Sequence, residues 1–368
     1  MKILHVVNSL DPGGMENGVV NMAHALQPLD FEIHFACLER RGAFADRLPH
    51  PHRVSLLGKH HGFSPLAVAR LTKLILKLRP NLIHTHNLGP LIYSSLATVA
   101  GSITPITHGE HSQLSPADLL PHRLRQRRWL YRSCRSIHTV SRPMQTELLQ
   151  LGFPPEKISV IPNGVDSSLF TPANPSLARL TLGLPTNATC IGIVGRFGPF
   201  KQHHILLEAF HQIAPQFPSL HLVIAGTGGP RENPTRSLVD SSPLSHRIHW
   251  LGFQSNPASL YPALDLTVIP SLNEGFSNVA LESLSSGVPV LANLACGHEE
   301  FIADGLEGRI ADLSSPLSLA SHLASLLTPP SPLAQWGANA RAKVLASFSL
   351  STMAHAYASH YQSHLPSP

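Results

Sequence analysis

Short apolar runs of strand type alternate with longer amphipathic stretches along the whole sequence, and that rhythm leaves few architectures open. In the first half the runs are KILHVV at 2–7, EIHFAC at 32–37, LIHTH at 82–86, PITHG at 105–109 and SIHTVS at 136–141. Between them, 17–26 and 66–78 carry apolar residues at helical spacing, Leu71, Leu74, Ile75 and Leu78 among them, and Pro80 closes the second. Apolar strands separated by helices form βαβ units and therefore a parallel sheet. The second half repeats the pattern with CIGIVG at 190–195, HLVIAG at 221–226, HWLGF at 249–253, LTVIP at 266–270 and PVLAN at 289–293. The fold class is α/β, with two parallel sheets facing across a cleft. Such sheets receive ligands at the carboxyl ends of their strands, in the crevice between domains.

The length of 368 residues exceeds one ordinary core and suits two domains of about 150 to 180 residues each. The expected division is 1–165, 166–345 and a terminal helix with a disordered tail at 346–368, the helix packing back on the first domain. The Pro- and Ser-rich stretch 172–176, after ISVIPNGVDSSLFTP, is the expected joint, and 229–245 and 329–332 read as surface loops. With 43% hydrophobic and 13% charged residues the chain is no candidate for global disorder. Its net charge of +5 suits anionic small molecules, an anionic membrane or nucleic acid, and decides nothing alone. Cys37, Cys134, Cys190 and Cys296 form no CxxC pair, which argues against a disulfide framework or zinc site and fits a cytoplasmic location. The opening MKILHVV reads as a buried first strand rather than a signal peptide, and no window reaches the roughly 18 apolar residues of a membrane span.

Several motifs sit where strands end. In DPGGMENG at 11–18, Gly13 and Gly14 precede a helix whose amides can receive an anion, although an ordinary βα turn reads the same way. In GRFGPFK at 195–201, Arg196 and Lys201 can converge on one diphosphate, the arginine as a fork and the lysine as a point charge. The alternative is a pair of surface bases. VIAGTGGP at 223–230 lacks the last glycine of GxGxxG, where Arg231 stands, so a nicotinamide enzyme is disfavoured. NEGFSNVALESLSSGVPV at 273–290 is the most informative: Ser277 or Asn278 caps a helix to about 286, Gly287 ends it, Glu274 precedes it and Glu282 lies inside. A dipole-favoured glutamate explains the second carboxylate but not the first.

EGFSNVALE resembles the paired-glutamate signature of the nucleotide-sugar glycosyltransferases of the group 1 family, which have the GT-B architecture of two Rossmann-like domains. VGRFGPFK resembles that family's diphosphate loop, IPNGVDSSLF its inter-domain segment, LIHTHN and THG its N-domain loops, and DPGGMENG its first glycine loop. GGMENG with HGEH also resembles a bacterial subgroup associated with exopolysaccharide assembly. The resemblance implies a metal-independent, retaining hexosyltransferase that needs no cofactor beyond its nucleoside diphosphate sugar donor, with 1–165 as acceptor-side domain and 166–345 as donor domain. It makes Glu282 the acceptor for ribose hydroxyls, Glu274 a contact to the sugar, Asn278 and Val279 backbone contacts to the diphosphate, and His108 the histidine that reaches the transferred sugar, with Glu110 and His111 beside it. ACGHEEFI at 295–302 departs from the family's Gly-Gly-x-Pro-Glu turn and leaves His298 and Glu299 without a role.

Among 24 histidines, His84 and His86 in HTHN could suggest a metal pair, but strand alternation and the absence of nearby carboxylates favour a structural reading. HRLRQRRWLYRSCR at 122–135 holds six arginines, of which Arg125, Arg128, Arg132 and Arg135 fall on one helical face. That face suits anionic lipid at the inner side of the membrane, or is simply solvated. No nucleic-acid module is recognisable. The expected reaction is transfer of a hexose-type sugar to a glycan or lipid-linked acceptor in cell-surface polysaccharide or glycolipid synthesis. The alternatives are a nucleotide-sugar epimerase of similar build and a catalytically silent nucleotide-sugar-binding protein.

Overall fold

A computed structural model describes residues 1–99, 104–294 and 297–364. Cys296 and the last four residues, on which sequence expectations fell, lie outside the described residues. The chain divides into two compact units, one of residues 1–164 and 350–368, the other of 165–349. The stretch 172–176 is therefore part of the second unit and not a joint. Pro175 already opens a helix there, capped by Asn174, whose side chain accepts from the Leu177 amide.

In the first unit the elements run β1 (Lys2–Ser9), α1 (Gly14–Leu26), β2 (Glu32–Arg40), β3 (Val54–Leu56), α2 (Pro65–Leu78), β4 (Leu82–His86), α3 (Leu88–Val99), β5 (Ile106–Glu110), α4 (Pro121–Ser133), β6 (Ser136–Thr139), α5 (Arg142–Gln150) and β7 (Ile158–Val160). They form a seven-stranded parallel sheet of order β3-β2-β1-β4-β5-β6-β7. Ser64 caps α2 ahead of Pro65, and Arg79 ends it in the left-handed region at φ 48°. The short strand β3, half-buried at the sheet edge, has no apolar run long enough to announce it in the sequence.

The second unit runs α6 (Pro175–Thr181), β8 (Thr189–Val194), α7 (His203–Ile213), β9 (Leu220–Ala225), α8 (Glu232–Asp240), β10 (Ile248–Gly252), β11 (Leu266–Ile269), α9 (Asn278–Ser285), β12 (Val290–Asn293), β13 (Gly308–Ala311), α10 (Pro316–Leu327) and α11 (Leu333–Ser347). Its six-stranded parallel sheet has the order β10-β9-β8-β11-β12-β13. Helix α8 occupies the middle of 229–245, which the sequence presents as loop: its buried Thr235 and Val239, one turn apart, dock a face that Pro and Ser content conceals. The last helix, α12 (Leu350–Ser363), belongs to the first unit and packs beside α1.

Under α12 the first sheet buries histidines. Register pairs His5 with His84, and His86 with Gly109, which in turn faces His138. A Cβ at Gly109 would lie 2.6 Å from His138 Nε2 and 2.9 Å from His111 Nε2, so only glycine leaves room for these rings. The imidazoles bond to one another: His5 Nδ1 to His86 Nε2 at 2.9 Å, His86 Nδ1 to His111 Nε2 at 2.8 Å, and His84 Nε2 to His138 Nε2 at 2.9 Å. Tyr361 Oη lies 2.8 Å from His84 Nδ1 and 3.4 Å from Met22 Sδ, which ties α12 to the sheet. His360 adds bonds to Thr107 and Ser136.

Burial holds these rings neutral. It pushes His5 down to about 3, and His111 and His360 to about 4, from an ordinary 6.5. His84, His86 and His138 are lowered further by burial and by one another. Histidines of the unfolded chain take up protons near pH 6.5 while the native ones do not, so the stability present above pH 6.5 is lost as pH falls toward 4. Each of these rings costs about 1.4 kcal/mol per pH unit across that window. The thermal midpoint of the protein is expected to fall steeply between pH 6.5 and 5; a midpoint flat over that range in calorimetry contradicts the neutral cluster.

Candidate functional site

The carboxylate-bearing segment lies at the carboxyl edge of the second sheet. Strand β11 ends at Ile269, a loop follows, and α9 begins at Asn278 with Ser277 Oγ accepting from the Ala280 amide at 3.3 Å. The amides of Asn278 and Val279 thus belong to the first turn of α9, where the helix dipole favours an anion. Next to β11 stands β8, whose own exit loop ends in a tight turn at Pro199–Lys201. The Leu272 amide donates to the Phe200 carbonyl at 2.9 Å and joins the two loops. Lys201 Nζ consequently donates to Glu274 Oε1 at 2.5 Å, with the side chains 30% and 11% exposed. Burial by itself would raise the Glu274 carboxyl, but the Lys201 ammonium outweighs it and holds the group below its usual range. Arg196, on the same loop as Lys201, is exposed, and its side chain has no partner among the described residues.

Glu282 lies in the second turn of α9, and its Oε2 accepts a hydrogen bond from Tyr261 Oη at 2.7 Å. Tyr261 is fully buried in the turn before β11, its ring edge against Phe170. Burial, then the Glu282 charge, pushes the phenol well above its ordinary value, so it remains a donor. Sequence reasoning missed this residue because a buried tyrosine in SLYPALD has the signature of core alone. His298 is also buried, with Nδ1 donating to the Asn293 carbonyl at 3.1 Å, while Glu299 is exposed. Two glycines of VIAGTGGP serve packing: a Cβ on Gly226, at φ 142°, would stand 2.0 Å from the Gly195 carbonyl oxygen, and one on Gly229 2.5 Å from that of Phe197.

The candidates of the first unit fare differently. Gly13 caps α1 in extended backbone, and a Cβ there would meet the Glu16 carboxylate at 2.2 Å, whereas at Gly14 it would meet open space. A carboxylate already stands over that helix start, which disfavours a bound anion. His108 is fully buried, with Nδ1 bonded to Thr85 Oγ1 at 2.8 Å and Nε2 to Glu110 Oε1 at 3.2 Å. Both ring nitrogens are engaged, so in this structure His108 offers none to a sugar. Glu110 is equally committed: Arg127 Nε donates to it at 3.0 Å and Tyr131 Oη also donates; burial would raise its carboxyl, but the contact with His108 first and then the Arg127 guanidinium and the Tyr131 hydroxyl hold it far below the usual range. Arg127 is therefore an internal counter-ion and not part of a solvated basic face. Arg125, Arg128 and Arg132 are exposed on α4 beside Trp129, but the helix ends at Ser133, so Arg135 lies beyond it.

His5, His84 and His86 each offer a nitrogen within 4.8 Å of the others, close enough to surround an ion. Both ring nitrogens of His84 and His86 and the Nδ1 of His5 are paired with one another, with His111, His138 or Tyr361, while His5 Nε2 is buried without a partner, and among the described residues no carboxylate bonds to the three rings to balance a divalent charge.

Known proteins agree with this anatomy. The family model described as Glycosyltransferase Family 4 matches residues 12–169, and that of Glycosyl transferases group 1 matches residues 178–343. The D-inositol 3-phosphate glycosyltransferase of Thermobispora bispora is 36% identical over 208 residues, which is 53% of this chain and 48% of that protein. The protein of the same description from Mycolicibacterium paratuberculosis is 35% identical over 201 residues, 53% and 45%. The matched chain thus spans about half the length of these curated relatives. Among solved structures, Anabaena HepE superposes with a TM-score of 0.86 at 26% identity over 99% of this chain and 100% of that one, and it has been solved with UDP, with UDP and glucose, and with UDP-glucose. A Rickettsia africae glycosyltransferase, at TM-score 0.82 and 22% identity over 99% and 98%, shares the fold.

The two kinds of arginine should separate in mutants. Glu110→Ala removes the closer of the two carboxylates paired with the buried Arg127, leaving only Asp118 at 3.5 Å, and should cost about 3 kcal/mol in urea unfolding. Arg196→Ala, at an exposed and unpaired position, should stay within about 0.5 kcal/mol of wild type. Equal stability of the two variants would contradict the buried assignment.

Proposed function

Because the chain belongs to the glycosyl transferases group 1 family, we propose that it moves a hexose-type sugar from a nucleoside diphosphate sugar to the hydroxyl of a glycan or lipid-linked acceptor, with retention of anomeric configuration. The observation that carries this reading is the Lys201–Glu274 pair at the carboxyl edge of the second sheet, next in the chain to the start of α9. A diphosphate arriving there meets Arg196, the first-turn amides of α9 and Lys201. Lys201 then exchanges a carboxylate for a phosphate, and Glu274 is released to accept hydroxyls of the transferred sugar. Glu282, held by Tyr261, accepts the ribose hydroxyls. The likeness to HepE, solved with UDP-glucose, supports a uridine nucleotide as the donor.

As the glycosidic bond breaks, positive charge develops on the sugar and negative charge on the departing diphosphate. Fixed cations and amides stabilise that leaving group without reorganising, the role a divalent ion would otherwise fill. Attack on the same face, with the leaving phosphate accepting the acceptor's proton, accounts for retention. Cell-surface polysaccharide or glycolipid assembly at the cytoplasmic side of a membrane is the setting we propose. Exposed Trp129, Arg125, Arg128 and Arg132 on α4 provide the lipid contact. Binding to vesicles is expected to rise with their anionic lipid content and fall with salt; equal partitioning to neutral and anionic vesicles would reject that contact.

The two glutamates test the reaction. Glu282→Ala should raise the donor KM and weaken binding of bare UDP, because a ribose contact is present before and during reaction. Glu274→Ala should bind UDP nearly as well as wild type and lose kcat by about a hundredfold, since a misplaced sugar costs rate. Turnover should release UDP only with acceptor present and persist in chelator. Isomerised donor without acceptor would identify an epimerase, tight binding without turnover a silent binding protein, and equal loss of UDP affinity in both variants would end the division of labour.

A further inference from the structure

Glu282 has a supporting residue that none of the motifs contains. From the geometry around it we infer that Tyr261 is a positioning residue for the nucleotide ribose, its hydroxyl holding the Glu282 carboxylate in the orientation that accepts the ribose diol. This rests on the proposed role of Glu282 and extends it to the residue that sets its rotamer.

The hydroxyl of Tyr261 lies 2.7 Å from Glu282 Oε2, a charge-assisted bond of good length. Tyr261 cannot be there for solvent: it is fully buried, locked between the turn that precedes β11 and the edge of the Phe170 ring at 5.8 Å. Its position is therefore fixed by core packing, whereas Glu282 sits on the partly exposed face of α9 and carries three rotatable side-chain bonds. The bond transfers the rigidity of the one to the other. The phenol takes one of the about four acceptor sites that a carboxylate has. A carboxylate that must be ordered on binding loses affinity in proportion to the freedom it gives up, and one ordered beforehand does not. A tyrosine needed only for bulk would not require its hydroxyl to meet this carboxylate.

The experiment uses Tyr261→Phe, which keeps the ring and its packing, beside Glu282→Ala, with calorimetry on UDP and 2′-deoxy-UDP and steady-state kinetics with UDP-glucose. Tyr261→Phe should weaken UDP by about threefold to tenfold, the effect of freeing one side chain. It should raise the donor KM by the same factor and leave kcat at saturating donor within about twofold. The penalty for 2′-deoxy-UDP relative to UDP should shrink in this variant, because the lost contact is with the diol. Unchanged UDP affinity in Tyr261→Phe while Glu282→Ala loses it overturns the positioning role and leaves the ribose contact standing. Unchanged affinity in Glu282→Ala overturns the ribose contact and the inference with it. Equal losses toward both nucleotides with a lowered thermal midpoint make Tyr261 a packing residue and also overturn the inference.

Discussion

A parallel sheet covered on both faces excludes charge from nearly all of its volume and delivers every strand end to one edge, and the chemistry of this protein is arranged by that constraint. Only 13% of the residues are charged, and those of the second unit's site gather where β8 and β11 end. Because β8 and β11 are hydrogen-bonded neighbours, the loops that leave them lie side by side, and a single backbone bond from Leu272 to Phe200 is enough to set Lys201 against Glu274. The ion pair is a product of strand order.

The pair also explains how a half-buried carboxylate and ammonium can wait for a charged ligand. Each satisfies the other, so neither carries the desolvation cost of an isolated ion. In the proposed reaction an incoming diphosphate would offer Lys201 an equivalent partner, and the sugar behind it would offer Glu274 hydroxyls, so both groups would remain bonded before and after the exchange. Arg196 stands in an exposed position, where an unpaired charge is cheap to keep in water.

The first unit solves its own polar burden in the opposite way, by neutrality. His5, His84, His86 and His138 are buried as uncharged rings that, with the half-buried His111, hydrogen-bond to one another, and Gly109 gives them space. Glu110 and Arg127 are the exception, an internal ion pair closed by His108 and Tyr131. These arrangements serve stability and α12 docking, and they remove His108 and Glu110 from the groups that a substrate can reach in this structure.

The sequence by itself determined what depends on neighbours along the chain: the βαβ rhythm and hence two parallel sheets, the Ser277 cap that starts α9, and the placement of Glu274 ahead of that helix and Glu282 within it. Residue spacing dictates these, because a strand, a cap or a helical turn is decided over a few residues. Tertiary structure alone decided the partners. Lys201 meets Glu274 across 73 residues and Tyr261 meets Glu282 across 21, and no local pattern encodes either pairing. It likewise decided that Arg127 turns inward to Glu110 while Arg125 and Arg128 on the same helix face water, and that α8 condenses from a Pro- and Ser-rich stretch. The physical reason is the same each time: burial and electrostatic pairing depend on which strands lie side by side, and that order is fixed only when the whole sheet assembles.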